Sequence, residues 1–572
     1  MTNIIIKTDN KDFIARYNAA QTAKFTRQEF ANYHGVEVDT ISRRRLRIIE
    51  RVGLFLSYLP FQDDFDGSID IEKVELFERT YKNILRKDAG PTPAKVSKSK
   101  KQIFVITSAQ NATPVHDRFN KTCLKYCEIR NGRYMVIPVR YRNPTSIWTA
   151  ANKADEYWFK ELEPYLVTSD VQLCKGLRLI AEAKIQPTAN IPLSGYDGLT
   201  GSDSAIFGHP KVQMKTVATP NKNMPKILTT SGTCTVDNYS DSKAGHKGKF
   251  HHNISAIIVE VDNDKFHIRQ VHGDEDGSFY DLEYLYTTTG RTKHEGIAGF
   301  VPGDIHAEFL DEGVENATFI GPQSIVGALH PKIMVLHDVE DFYRRNHHHK
   351  NNDIIAYGKH HLGRDNVEEG LQISADFISK ITRPGMTNLI VPSNHNEAFD
   401  RWLNDCDPKL DPENARLFHY MKLQQLSNVR KTSTGFETIP AFELWCNNPL
   451  DQDGLPSSKI TRFLKRDESY MIAGIEIIFH GDVGINGARG NISSFAKIGP
   501  KTVIGHSHSP GITEGAYQVG VSARRDLEYA VGPSSWLHTH CIIYPNGSRA
   551  LINVINGEWR ASYYGNEASL IR

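Results

Sequence analysis

An α/β multidomain protein is predicted: a small helical domain, then an α/β region, then a strand-rich region. Three observations predict it. The chain has 572 residues, enough for about three domains. Residues 88–101 read Asp-Ala-Gly-Pro-Thr-Pro-Ala-Lys-Val-Ser-Lys-Ser-Lys-Lys, a linker composition with almost no apolar content. From about residue 295, short apolar strands recur, each ending in His, Asp or Asn. The expected division is a helix-turn-helix domain over 1–87, a linker over 88–101, an α/β region over 102–294 and a third domain over 295–572.

Composition excludes some classes. Hydrophobic residues are 39% and charged residues 24% of the chain, which is neither fibrous nor wholly disordered. No apolar run approaches the roughly 18 residues of a membrane-spanning helix. The opening Met1–Asp9 turns acidic too soon for a secretory signal. Seven cysteines without paired spacing suit a reducing compartment, so a cytoplasmic location is expected. Cys123 and Cys127 are four apart, but without a second pair they make a poor zinc site.

The first domain is basic. Residues 1–101 hold 19 Lys and Arg against 14 Asp and Glu, while the remainder has an acidic excess of four. Thr26-Arg27-Gln28-Glu29 is a capping box that starts a helix. Gly35 ends it and a second helix follows from about Asp39. Ala31, Gly35 and Ile41 have helix-turn-helix spacing: a small residue at the crossing, a turn, and an apolar residue packed between the helices. Arg43, Arg44, Arg45 and Arg47 then line up on the second helix, where guanidinium groups suit DNA phosphates and base edges.

In the middle region, strands are predicted at 103–107, 134–139 and 256–261, a helix at 114–128, and Gly- and Pro-rich loops at 192–224. It carries no nameable motif. His347-His348-His349 is the one low-complexity tract and reads as a polar loop.

The chemistry lies in five ordered segments. Ala298–Val301 leads to Asp304 and His306. Ile333–Leu336 leads to His337, Asp338 and Asp341. Leu389–Val391 leads to Ser393, Asn394, His395, Asn396 and Glu397. Ile475–Phe479 leads to His480-Gly481-Asp482, and Thr502–Ile504 leads to Gly505-His506-Ser507-His508. Buried strands fix the backbone, and the loops project carboxylate, imidazole and amide donors that suit borderline divalent metals. Two such cations can clamp a phosphodiester and activate water. His538-Thr539-His540 has a similar form but lacks the preceding Gly and falls outside the series. The glycine-rich run from Gly484 to Gly490 carries Arg489, a candidate phosphate contact; Arg344 and Arg345 are weaker ones.

These five blocks resemble the calcineurin-like metallophosphoesterases, whose pattern runs Asp-x-His, Gly-Asp-x-x-Asp, Gly-Asn-His-Asp/Glu, a lone His, and Gly-His-x-His. The match covers roughly residues 297–510. It implies a β-sandwich flanked by helices in the third domain. It also implies two divalent metal ions, manganese first, with Fe2+, Zn2+ or Mg2+ as alternatives. Asp304, His306 and His508 would bind one ion, Asn394, His480 and His506 the other, and Asp338 both. His395 would be the general acid and Asp341 would orient a ligand. Two departures stand out: His337 and Ser393 replace the usual glycines, and a histidine at 337 would crowd the site or add a ligand. Asn396 also stands where an acid is usual.

The resemblance implies phosphate-ester hydrolysis, and the arginine-rich first domain selects DNA as partner. The domain order also resembles the pre-early DNA-transfer proteins of large tailed bacteriophages. That implies a homo-oligomeric nuclease that degrades host DNA in the bacterial cytoplasm, with a host or phage protein as a further partner. The alternatives are a phosphatase or cyclic-nucleotide phosphodiesterase whose first domain docks protein, and a non-enzymatic DNA-binding regulator.

Overall fold

Thr26 caps a helix in the computed structural model of the chain, as its sequence predicts. Its hydroxyl accepts the Glu29 N–H at 3.2 Å, and the Glu29 carboxylate accepts the Thr26 N–H at 2.6 Å. The structure describes residues 10–43, 66, 68–78, 101–141, 157–220, 223–433, 435–450, 461–527 and 530–564. They fall into two units, one from 1–99 and 142–159, the other from 100–141 and 160–572.

In the first unit the capped helix is Arg27–Tyr33. Gly35 follows at φ +62°, a conformation glycine adopts without strain. A second helix starts at residue 38, and Ala31 and Ile41 are both buried in one core with Phe30 and Phe77. A further helix, Asn10–Thr22, has no counterpart in the sequence reading; Phe13, Tyr17 and Ala20 place its apolar face in the same core. Arg43 is exposed and pairs with Asp39 at 3.0 Å. Arg44, Arg45, Arg47 and linker residues 88–100 lie outside the described residues.

The second unit is mixed α/β. Its middle portion forms as expected: strands Lys101–Gln110, Arg133–Val139 and Ser255–Asp262, and helix Asp117–Arg130. With Lys265–His272 the strands make a four-stranded sheet. The 192–224 stretch corrects the sequence reading. It contains strands Ser204–Phe207 and Gln213–Val217, drawn into a sheet because Ala205, Ile206 and Phe207 are fully buried. Cys123 and Cys127 are both buried free thiols.

Two sheets position the site. One has six strands, in the order Thr461–Phe463, Thr387–Ile390, Ile333–Leu336, Gly299–Val301, Thr539–Ile543 and Arg549–Asn553. Its first four strands are parallel, with Phe300 opposite Met334 and Met334 opposite Asn388. The other has ten strands and runs across the expected 294/295 boundary: Gly511–Thr513 pairs antiparallel with Gln213–Val217. The sheets share a core in which Val301, Val335 and Leu389 meet Ile475, Val503, Ile512 and Met214. Alternation along the six strands turns Phe300, Met334 and Ile390 to the opposite face, where helices Val367–Ile381, Ala398–Asp405 and Ala441–Asn447 cover them. Among the described residues no helix is long and apolar enough to cross a membrane.

Candidate metal centre

Parallel strands that end together put their C-terminal loops side by side. Here three such loops from the six-stranded sheet face two from the ten-stranded sheet. The ladder continues beyond the strands: Ile305, His306 and Ala307 donate their N–H groups to the carbonyls of His337, Asp338 and Val339. The Gly505 N–H bonds the His480 carbonyl at 2.7 Å. Asp304 itself is gripped by backbone, since its Oδ2 accepts the His506 N–H at 2.7 Å.

The loops pay for this convergence in strain. His306, Asp338, His506 and His508 take φ of 45°, 44°, 72° and 58°. Side chains other than glycine rarely adopt these angles, and each costs on the order of 1–3 kcal/mol. Such strain persists where surrounding bonds over-determine it.

Side-chain donors converge accordingly. Atoms of Asp304, His306, Asp338 and His508 lie within 4.8 Å of one another, and so do those of His306, Asp341 and His395. The His508 Nε2 is 3.2 Å from Asp304 Oδ2 and 3.1 Å from His306 Nε2. Asp338 Oδ2 is 3.0 Å from His480 Nε2 and 3.8 Å from His306 Nε2. The rings of His480 and His506 lie 5.2 Å apart. Asn394 Oδ1, Asp304 Oδ1 and His508 Nδ1 are buried with no hydrogen-bond partner among the described residues. Buried polar atoms are seldom left so. Converging carboxylates and imidazoles, plus an orphaned amide oxygen, fit divalent cations.

The electrostatics follow from burial against opposite charge. Burial pushes the His306 and His480 imidazoles down, but the carboxylates win and hold both up at about 9: Asp341 leads for His306 and Asp338 for His480. Burial raises the Asp338 carboxyl, yet the charges of His480 and His395 hold it well below the usual range. Asp341 accepts from His306 Nδ1 at 2.6 Å, which fixes the ring and leaves its Nε2 facing the converging donors.

The departures from the family pattern each have a place. His337 is buried beside His480, with Nδ1 atoms 3.3 Å apart. Burial, then the His480 charge, push its imidazole down to about 4, so it sits neutral against a charged neighbour. Ser393 is buried, and its hydroxyl faces the Asn396 N–H at 3.4 Å. Asn396 accepts the Glu340 N–H at 3.0 Å and so ties two of the loops together. Its Nδ2 also donates to the Val391 carbonyl at 3.4 Å, which a carboxylate could not do.

Other sequence candidates lie as follows. The Arg344 guanidinium is buried and committed to Glu308 and Glu369. Arg345 is paired with Asp411. Arg489 is exposed on the loop that follows His480. His347–His349 form a short 3₁₀ turn on the surface. His540 is buried and braces the site from below: its Nδ1 accepts the Gly303 N–H at 2.9 Å, and its Nε2 meets Thr318 Oγ1 at 3.0 Å.

The sequence reading misses Arg466. It spans Glu397 and Asp482 with both guanidinium edges, at 2.7–3.0 Å, and thereby joins the loop after Asn394 to the loop after His480. Its signal was faint: one cation beyond the fourth parallel strand, facing two acids that follow candidate ligands.

Space at the centre is tight. A Cβ added at Gly505 would lie 2.2 Å from Asp304 Oδ1. We expect Gly505→Ala to displace the Asp304 carboxylate and to lower divalent-dependent hydrolysis on the order of a hundredfold, as a roughly 1 Å misplacement does. Any rise in melting temperature on adding a divalent cation should shrink with it, and an undiminished rise would refute the steric reading.

Comparison with known proteins places the chain in context. No family model matches it. It is 34% identical over 469 residues to Protein A1 of Escherichia phage T5, covering 80% of this chain and 83% of that one. A solved structure of a Vps29 double mutant from Entamoeba histolytica aligns over all of its own length and 34% of this chain. It does so with 13% identity and a TM-score of 0.19, a likeness too slight to bear on function.

Proposed function

The chain belongs to the family of Protein A1 of Escherichia phage T5, and from that premise we propose that it is a divalent-metal-dependent nuclease that hydrolyses DNA phosphodiesters. The observation that carries this reading is the convergence of Asp304, His306, Asp338 and His508 donor atoms within 4.8 Å at the ends of two facing sheets. The metallophosphoesterase-like order of motifs supports it, and so does the helix-turn-helix pattern ahead of Arg43. In this reading the protein is phage-encoded and acts on host DNA in the bacterial cytoplasm, where it aids phage DNA transfer, as a homo-oligomer with a host or phage partner.

Asp304, His306 and His508 would hold one cation, Asn394, His480 and His506 a second, and Asp338 both. Bound cations of this kind supply Lewis acidity and a nucleophile at neutral pH, with Mn2+ the first choice. The residues do the rest. Asp341 fixes the His306 ring. His395 Nδ1 lies 2.8 Å from the Asp341 carbonyl oxygen, an acceptor only, so Nδ1 carries a proton and donates it there. That leaves Nε2 as the nitrogen that gives a proton to the leaving 3′ oxygen. The Asp341 carboxylate lies 3.8 Å from Nδ1, on the side of the ring away from Nε2. Arg489, exposed on the adjoining loop, would meet a phosphate in this reading.

The test is cleavage of plasmid and linear DNA with added manganese. Wild type should cut both, and His395→Ala should cut about 10²–10⁴-fold more slowly, the usual contribution of a general acid. Wild type that hydrolyses a small phosphodiester but leaves DNA intact would replace the nuclease with a phosphodiesterase.

A further inference from the structure

A cleft of about 690 Å³ opens next to the loop that carries Asn394 and His395, between the start of helix Ala398–Asp405, helix Ala415–Ser427 and a small hairpin. Its link to the centre is covalent and short. Glu397 lies two residues beyond His395, and Arg401, one turn into the helix, donates Nη2 to the Asn394 carbonyl at 2.5 Å. Arg466 joins the same Glu397 to Asp482, two residues past His480.

The cleft walls combine two chemistries. Leu426, Val429 and Phe436 line it while 71%, 46% and 74% exposed. Such a concentration of solvated apolar side chains marks an interaction surface. Arg401 and Lys422 also line it. The acids are spoken for: Glu397 is paired with Arg466, and Asp400 accepts the Ala441 N–H at 3.1 Å and the Gln425 amide at 2.8 Å. Phe436 sits on strand Phe436–Glu437, paired with Arg430–Lys431, whose two cations are exposed. An exposed aromatic beside exposed cations is how proteins hold single-stranded nucleic acid: the ring stacks on a base and the cations meet the backbone. A duplex offers no free base face to Phe436, because its bases stack on each other.

We propose that this cleft receives an unpaired base of the DNA strand whose neighbouring phosphate lies at the metal centre, with Phe436 as the stacking platform. The proposal rests on the nuclease reading and narrows it: the strand is cut where it is single or frayed.

Binding of a fluorescein-labelled single-stranded oligonucleotide would be measured by anisotropy on the full chain, with chelator present and excess unlabelled duplex to occupy the first domain. Phe436→Ala should weaken binding by about fivefold or more, the low end of one base–aromatic stack. Phe436→Trp should retain it. With manganese, kcat/KM for bis(p-nitrophenyl) phosphate should be the same in all three proteins. Both variants change an exposed side chain, so the fold should persist. Equal binding by wild type and Phe436→Ala would overturn the proposal, as would displacement of the strand by the duplex. If wild type hydrolyses the small diester but cuts no DNA, the nuclease reading fails. The anisotropy comparison still decides the cleft, because it involves no cleavage.

Discussion

Under the proposed function, Asp338→Asn should abolish hydrolysis assayed with added manganese, with a loss of about a thousandfold or more. The substitution keeps the shape of the side chain and removes its charge. Asp338 is 1% exposed, and its Oδ2 lies 3.0 Å from His480 Nε2 and 3.8 Å from His306 Nε2. Lewis-acid stabilisation at such centres is worth several kcal/mol, and each 1.4 kcal/mol is tenfold in rate. The positive φ of Asp338 suits asparagine as well, so the backbone should hold. Two readouts check the result: initial rates on a small phosphodiester, and manganese binding by calorimetry. Activity within tenfold of wild type would show that the converging donors are not the reactive centre.

The second large effect is on stability, far from that centre. Glu260 is fully buried between Arg130, at 3.0 Å, and Arg269, at 2.8 Å, and its other oxygen accepts the Ala561 N–H at 3.1 Å. Arg269 also pairs with Asp281, which Tyr126 bonds at 2.8 Å. Removing one partner from a buried ion network leaves an uncompensated charge and costs about 3–5 kcal/mol. We expect Glu260→Ala to lose that much by denaturant unfolding, since two guanidinium groups would be left facing a cavity. The pH dependence has a definite sign. Burial raises the Glu260 carboxyl, but the Arg269 and Arg130 charges outweigh it and bring it from an ordinary 4.5 down to about 2. A depressed acid stabilises the fold above its unfolded value. Its contribution is therefore complete above about pH 4.5 and is lost as pH falls towards 2. The variant should show a flatter loss of stability over that interval, and an unchanged profile would remove Glu260 from the acid response.

The centre was legible because strand-end chemistry is local. An apolar run followed by Asp304, Asp338, Asn394, His480 or His506 states both where the strand stops and what its loop carries. The capped helix Arg27–Tyr33 and the turn after it were legible for the same reason, through Thr26, Glu29 and Gly35. Arg466 was not, because its value lies in two acids, 69 and 16 residues away, that meet only in the fold. The Arg130–Glu260–Arg269 network was hidden too, since each residue alone reads as an ordinary surface charge. The pairing of Ile512 with Met214 joins residues some 300 positions apart, and no periodicity encodes that. The 204–207 strand was obscured by the glycines and prolines around it.

That long-range pairing has a consequence for how the chain can be handled and how it can evolve. A fragment cut near 295 would carry every candidate ligand, yet it would bare the Gly511–Thr513 strand, whose N–H and C=O groups now bond Gln213–Val217. An unpaired sheet edge is a template for joining other chains. The stretch that carries the candidate ligands is therefore not a portable cassette: moved to another protein without its upstream strands, it would recruit neighbours into insoluble assemblies.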